Sequence, residues 1–276
     1  MHNVNANGAT IPALGLGTWT LKGDECAQLV ADALSTGYRH VDTARMYQNE
    51  AAVGAGLRAS GVSRDEVFVT TKVWWTDIAP GDLERSAEAS LKDLGLDQVD
   101  LLLIHWPNPE IPLEASIRAL NAARRHGLAR HIGVANFPTA LLSRAIELSE
   151  APLAVNQVEY HPYLDQRKVL GMCRENGLAM VSYCPLFRGG GLFEEKAVED
   201  AAARHGKTPG QIVLRWHVQQ QGVIAIPRTT KKARLAENID IFDFALSADE
   251  MNAISALTRQ NKRLCDGDFA PEWDLA

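Results

Sequence analysis

No stretch of the chain approaches the roughly 18 consecutive apolar residues of a membrane span, so none is expected. Cysteine is scarce. Cys26, Cys173, Cys184 and Cys265 lie far apart and form no CxxC pair. That spacing excludes a disulfide framework and a zinc site, and it fits reduced thiols in a cytoplasmic protein with no metal. There is no basic excess either. Lys and Arg number 28 against 34 Asp and Glu, a net charge of −6. Nothing in that balance points to nucleic acid. The N-terminal Met1-His2-Asn3-Val4-Asn5 has no basic segment followed by an apolar one, so no secretory signal is expected. Linkers, low-complexity tracts and internal breaks are also missing, which predicts a single domain over 1–276.

What is present is an ordinary globular composition, 46% apolar and 22% charged over 276 residues. That length suits either two ordinary domains or one (β/α)8 barrel of about 250 residues. Asn7-Gly8 between Val4 and Ile11 is a type I′ turn signal and predicts a short hairpin ahead of the main fold. Eight apolar strand segments follow: 14–17, 38–42, 67–71, 99–104, 130–135, 153–158, 178–183 and 223–226. Amphipathic helix patterns separate them. In 80–94, Leu83, Ala87, Leu91 and Leu94 share one face, Pro80 suits the first turn and Gly95 can close the C-terminus. The segment 112–126 repeats the pattern and ends at Gly127, and Leu29, Val30, Ala33 and Leu34 lie on another helix ending before Gly37. Strands alternating with helices imply parallel pairing through right-handed crossovers, and eight such units close a TIM barrel. The rival, an open doubly wound sheet, wants a third glycine in its first turn. Gly15-Leu16-Gly17-Thr18-Trp19-Thr20 lacks it.

The run Val99-Asp100-Leu101-Leu102-Leu103-Ile104 reads as a strand buried on both faces and ends abruptly in His105-Trp106-Pro107. A barrel gathers the C-terminal ends of its strands on one face. Asp42 falls at the end of the second strand, with Tyr47 just beyond. Lys72 ends the third, His105 the fourth, Asn136 the fifth, Gln157 the sixth and Tyr183 the seventh. Singly, Lys72 reads as a solvated lysine, Asp42 as a helix cap, Tyr47 as a surface ring and His105 as a satisfied edge histidine. Together they suit proton transfer. Free tyrosine, with a pKa of about 10, is a poor acid near neutrality. A lysine cation roughly 4 Å away is worth about 4 kcal/mol at an effective dielectric of about 20, roughly three pKa units at most. The expected relay has Asp42 holding Lys72, Lys72 acidifying Tyr47, and His105 orienting a carbonyl oxygen. Such a relay cannot reduce a carbonyl alone, so a nicotinamide hydride source is implied.

Several stretches carry a resemblance. They are Gly15–Trp19, Gly37–Ala44 through Tyr47 and Asn49-Glu50, Lys72-Val73-Trp74, Leu103–Pro107, Ile132–Phe137, Asn156–Pro162 and Ile226-Pro227-Arg228. In that order over nearly the whole chain, they resemble the aldo-keto reductase superfamily. The resemblance implies a tetrad of Asp42, Tyr47, Lys72 and His105, an NADPH cofactor, a small carbonyl substrate and a monomer. It also implies cofactor contacts. Asn136 and Gln157 would hold the carboxamide and Tyr183 would stack on the nicotinamide. Thr18, Trp19, Asp42, Pro185, Ile226 and Thr230 would line the cofactor, and Leu186, Arg188 and the glycines 189–191 would fold over its pyrophosphate. Arg228, Thr229, Arg234, Glu237 and Asn238 match the adenosine end, where the guanidinium forks of Arg228 and Arg234 suit a 2′-phosphate. Ala135 departs from the family's serine and removes one carboxamide contact; Cys184 stands where a small polar residue is common.

Trp19, Trp74 and Trp106, with Tyr47 and His105, would form the substrate pocket, aided by Phe269 or Trp273. The short 107–112 connection and the tail from Arg263 to Asp274 resemble the bacterial 2,5-diketo-D-gluconate reductases, so the tail should form a C-terminal loop over the active-site face. Expected substrates are therefore that compound, methylglyoxal or similar aldehydes and keto esters. Arg45 and Arg188 are candidate anchors for a sugar-acid carboxylate. The rival functions are an NADPH-binding redox-sensing module with little catalysis, and a barrel lyase using Lys72 as a Schiff-base amine.

Overall fold

A computed structural model describes residues 1–274. The chain begins with β1 (Asn3–Ala6) and β2 (Ala9–Pro12), paired antiparallel with Ala6 opposite Ala9. Asn7 and Gly8 join them at φ 42° and 88°, the two positive values a type I′ turn requires. The Asn7 side chain donates to the carbonyls of Leu153 and Asn176 at 2.8 and 3.0 Å, fastening the hairpin under the N-terminal end of the barrel.

Eight parallel strands follow, each hydrogen-bonded to the next in sequence. They are β3 (Leu16–Gly17), β4 (His40–Asp42), β5 (Phe68–Val73), β6 (Val99–Ile104), β7 (Ala129–Ala135), β8 (Leu153–Glu159), β9 (Ala179–Tyr183) and β10 (Val223–Ala225). Leu14 bridges Ala225 in parallel, the Gly15 N–H donates to Ala225 O at 2.9 Å, and the Ala225 N–H donates to Ala13 O at 3.0 Å. Those bonds join the last strand to the first and leave the sheet no free edge. All eight expected strands are present. The first keeps only two regular residues, because around Leu14 and Gly15 the chain is bridging to the far side of the barrel. Gly17 has to be glycine: an added methyl would sit 2.8 Å from the Ile226 carbonyl oxygen.

The helices are α1 (Gly23–Thr36), α2 (Glu50–Ala59), α3 (Asp82–Leu94), α4 (Leu113–Arg125), α5 (Thr139–Leu148), α6 (Arg167–Glu175), α7 (Lys196–His205), α8 (Pro209–Val218), α9 (Lys232–Ile239) and α10 (Ala248–Ser255). In α3 the expected face, Leu83, Ala87, Leu91 and Leu94, is buried, and Gly95 closes the helix at φ 68°. The helix starts two residues after Pro80, because the Glu84 carboxylate accepts the Gly81 N–H at 2.7 Å and fixes the cap there. Burying each such leucine contributes about 1.5–3 kcal/mol. Helices α7 and α10 stand outside the strand–helix alternation. No described helix is long and apolar enough to cross a membrane.

The tail crosses the C-terminal face and is fastened at both ends. Lys262 N–H donates to Tyr163 O at 2.8 Å, and the N–H groups of Leu264 and Cys265 donate to the two Glu159 carboxylate oxygens at 2.7 and 2.8 Å. At the far end, the Thr139 N–H and hydroxyl donate to the Asp274 carboxylate at 2.9 and 2.5 Å.

Candidate active site

Strand register sets the centre of the site. Asp42 lies opposite Thr70 on β5, two residues before Lys72, and Lys72 lies opposite Leu103 on β6, two residues before His105. The third strand runs one residue past Lys72 rather than ending before it. The lysine therefore stands inside the barrel wall, fully enclosed at 0% exposure. Such burial is tolerable only because every donor direction is met by an acceptor. Lys72 Nζ donates to Asp42 Oδ1 at 2.5 Å, to Thr43 O at 2.8 Å and to the Tyr47 hydroxyl at 3.5 Å. Gln157 Nε2 donates to the other Asp42 oxygen at 2.7 Å, so the carboxylate is held from both sides.

Tyr47 reaches this lysine from a short 3₁₀ turn after β4, and its half-buried ring lies edge-on to His105, centroids 5.7 Å apart. Burial pushes the Tyr47 phenol well above the usual tyrosine range, and the Asp42 charge adds to the rise. The expectation that Lys72 makes it a stronger acid than free tyrosine is not met. Burial is the larger cause, and Asp42, closer to the ammonium than the phenol is, works against the lysine. Burial also lowers the Lys72 pKa, against the pull of Asp42. His105 is held well below the ordinary imidazole range, by burial first and Lys72 second, so its ring is neutral near neutral pH.

These groups lie at the base of a cavity of about 640 Å³, within the range of small-molecule sites. Tyr47, His105, Trp74 and Trp106 line it beside Asp42, with Lys72 beneath the wall. Phe269 from the tail closes the aromatic side, packing against Trp74, Trp75 and Trp106 at centroid distances of 5.5, 5.8 and 5.1 Å. Trp273 packs behind Trp106 at 6.0 Å and is not part of the lining. Trp19, 42% exposed, lies under the Arg188 guanidinium, 5.3 Å from its ring centroid. Arg45 is not available as an anchor, because it pairs with Glu50 and Asp93.

The other arm of the cavity holds the expected cofactor residues. Asn136 stands at φ 64°, a left-handed conformation that asparagine tolerates. Its amide donates to His105 O at 3.0 Å and accepts from the Tyr183 hydroxyl at 2.7 Å. Thr18, Pro185, Leu186, Arg188, Gly189, Ile226, Arg228, Thr229, Thr230, Arg234 and Asn238 all face the same space. Gly190 and Gly191 do not line it; they open a short 3₁₀ turn, Gly190–Glu194. Glu237 also falls outside the lining, accepting from Thr208 Oγ1 at 2.8 Å and from Arg234 at 3.1 Å.

Sequence reasoning missed Met46, Phe193, Pro227, Lys231, Cys265 and Gly267 as lining residues. Pro227 lies inside the 226–228 motif and Lys231 beside the expected Thr230, so both were within reach; the others come from loops and tail, where no periodicity marks them. The cationic lining is lopsided. Arg188, Arg228, Lys231 and Arg234 face the cavity, and the single carboxylate there, Asp42, is spoken for by Lys72. In a chain of net charge −6, that concentration of guanidinium and ammonium groups fits a polyanionic occupant such as a dinucleotide diphosphate.

Comparison with known proteins agrees with this geometry. The model of the aldo/keto reductase family matches residues 13–259. The chain belongs to the aldo/keto reductase family. Enzymes of this family are NADP-dependent oxidoreductases, and the protein is one of them. It is 41% identical over 267 residues to methylglyoxal reductase DkgB of Escherichia coli O157:H7, covering 96% of this chain and 99% of that one. It is 44% identical over 255 residues to 2,5-diketo-D-gluconic acid reductase B of a Corynebacterium species, covering 92% and 91%. Among solved structures, an aldo-keto reductase of Bombyx mori in complex with NADP superposes with a TM-score of 0.88 at 37% identity, over 96% of this chain and 94% of the other.

Proposed function

We propose that the protein is an NADPH-dependent reductase of small carbonyl and dicarbonyl compounds, methylglyoxal and 2,5-diketo-D-gluconate among them, with Tyr47 as the proton donor. The observation that carries the reading is the Asp42–Lys72–Tyr47 chain of contacts, opening onto a cavity with one aromatic arm and one cationic arm. Asn136, Gln157 and Tyr183 would position the nicotinamide, and Arg228 and Arg234 would meet the 2′-phosphate. When bound, NADPH supplies the hydride for the carbonyl carbon.

The residues of this chain supply everything else. His105, neutral and lining the cavity, donates a hydrogen bond that orients the carbonyl oxygen. Tyr47 delivers its proton to that oxygen as negative charge develops there. An alkoxide is far more basic than a phenolate, so a phenol with a raised pKa remains a competent donor and stays protonated through neutral pH. Lys72 then stabilises the phenolate left behind, and Asp42 keeps Lys72 in place. Trp74, Trp106 and Phe269 exclude water, which strengthens each of these interactions. A positioned proton donor contributes about 10²–10⁴ in rate. The protein is further read as one barrel domain acting as a monomer in the cytoplasm.

The test is steady-state consumption of NADPH with both dicarbonyls, in the wild type and in Tyr47→Phe. The variant should bind NADPH nearly as tightly and turn over at least about 10²-fold more slowly. Wild-type turnover in Tyr47→Phe would remove Tyr47 as the donor, and no turnover by the wild type with any carbonyl would sink the reading.

A further inference from the structure

Glu159 is a buried carboxylate that the proposed chemistry does not use. It ends β8, two residues after Gln157, so the two side chains share a face of the strand. Gln157 reaches Asp42. Glu159, at 0% exposure, stands one step nearer the rim and meets the tail instead. Its Oε1 accepts from His161 Nε2 at 2.8 Å and from the Leu264 N–H at 2.7 Å, and its Oε2 accepts from the Cys265 N–H at 2.8 Å. Burial alone would raise its pKa; the bonds from His161, Leu264 and Cys265 outweigh that and hold it below the usual carboxylate range. Three donors therefore converge on an anion, and such charge-assisted bonds are about twice as strong as neutral ones.

The tail beyond this contact is closed on itself. The Arg263 guanidinium lies 3.7 Å from the Trp273 ring centroid, and Trp273 Nε1 donates to Asp266 Oδ1 at 2.8 Å. The Ala270 N–H donates to Gly267 O at 2.8 Å. A loop packed by its own side chains moves as a unit. Asp274 seats its far end on Thr139, and Glu159 seats its near end. Between the two seats, Phe269 lines the cavity and packs against Trp74 and Trp106.

We propose that Glu159 is a positioning residue for substrate: its carboxylate holds the 263–274 loop against the rim and so sets the aromatic wall on which a carbonyl compound with an aryl substituent packs. Glu159 is not part of the cavity lining, so it reaches the substrate only through the tail. The proposal takes from the reductase reading one point, that a carbonyl compound occupies the aromatic arm.

The experiment compares the full-length wild type, Glu159→Gln, Phe269→Ala and the double variant. Glutamine keeps the volume but turns one acceptor into an NH2, so a donor faces a donor. Limited trypsin digestion reads the seat. Lys262 and Arg263 lie just ahead of Leu264, and cleavage there releases 264–276. Release should be roughly tenfold faster in Glu159→Gln, the worth of one charged hydrogen bond. Reduction of 4-nitrobenzaldehyde by NADPH reads the wall. Its KM should rise on the order of tenfold in Glu159→Gln, as methylene-sized changes in an apolar pocket do, with kcat and the Kd for NADPH close to wild type. Phe269→Ala should raise KM similarly, and the double variant should be no worse than the singles, because both changes remove one wall. Leu264→Pro deletes one tail donor without touching the barrel; it should raise KM in the same way, and it keeps the test standing if Glu159→Gln does not fold. Wild-type trypsin resistance in folded Glu159→Gln would overturn the seat. Faster release with unchanged KM, weakened NADPH binding equal to the KM rise, or losses that multiply in the double variant would overturn the positioning role. Trypsin release needs no turnover, so it stands or fails apart from the proposed reductase activity.

Discussion

The two ends of the barrel hold the same chemistry and use it differently. At the N-terminal end, Asp100 on β6 is buried, accepts the Val69 N–H at 2.9 Å, and pairs with Arg64 at 2.7 Å and Arg130 at 3.3 Å. His40, the first residue of β4, is enclosed there and hydrogen-bonds Thr70 Oγ1 at 3.2 Å. At the C-terminal end, Asp42 pairs with Lys72, and His105 faces the cavity. Both ends contain a carboxylate, a cation and a histidine whose pKa burial lowers. Asp100 meets two partly exposed arginines at the rim, and none of the three lines the cavity, so the cluster fastens strands and loops. The Asp42 pair adjoins a hydroxyl that lines the cavity of about 640 Å³. Ion pairing alone does not single out a candidate site; an ion pair with a spare contact aimed at a cavity does.

The sharpest way to break that comparison is Lys72→Met. It should lower turnover at least about 10²-fold, as loss of a proton relay does, and destabilise the fold by about 3–5 kcal/mol because Asp42 is left buried and unpaired. Denaturant titration alongside kcat separates the two effects; normal turnover would erase the difference between the ends. Asp100→Asn is the counterpart. It should cost about 1–3 kcal/mol of stability while kcat and KM stay as in the wild type, and a lowered kcat in folded protein would show that the N-terminal end reaches the chemistry.

The histidines give a pH-dependent version. Burial lowers His40 from 6.5 to about 4, so the unfolded chain binds a proton that the folded chain refuses. That contribution is fully present above pH 6.5 and is lost as pH falls toward 4, about 2 kcal/mol by pH 5. Urea unfolding at pH 7 and pH 5 should show the loss in the wild type and a smaller one in His40→Gln. The raised Tyr47 pKa acts in the opposite range: it keeps the proposed donor protonated, so carbonyl reduction should hold into alkaline pH while alcohol oxidation, which would need the phenolate, rises with pH. The smallest effect is Arg234→Ala. It should weaken NADPH roughly tenfold, the worth of one charged hydrogen bond at about 1.5 kcal/mol, and leave NADH nearly unchanged. Equal weakening of both would mean that Arg234 meets no 2′-phosphate.

Much of this was open to reading in the chain itself. Strand positions follow from apolar runs bounded by glycine and polar residues. Because all eight strands point the same way, the residues ending them have to meet on one face, and so strand order alone brings Asp42, Lys72 and His105 together. The tail was not open in that way. Cys265, Gly267 and Phe269 sit in an aperiodic stretch whose position depends on Glu159, more than a hundred residues earlier. Arg45 looked like a free cation because its partner Asp93 lies on a different helix.

The order of apolar and polar residues therefore determined the barrel, its hairpin and the rim where Asp42, Lys72 and His105 meet, because strand period and turn chemistry are local properties. Only the tertiary structure decided that burial pushes the Tyr47 phenol above its usual range, which arginines face the cavity and that the tail closes its aromatic side. Those depend on which charges and surfaces end up a few ångströms apart, and distance between segments remote in the chain is fixed only by packing.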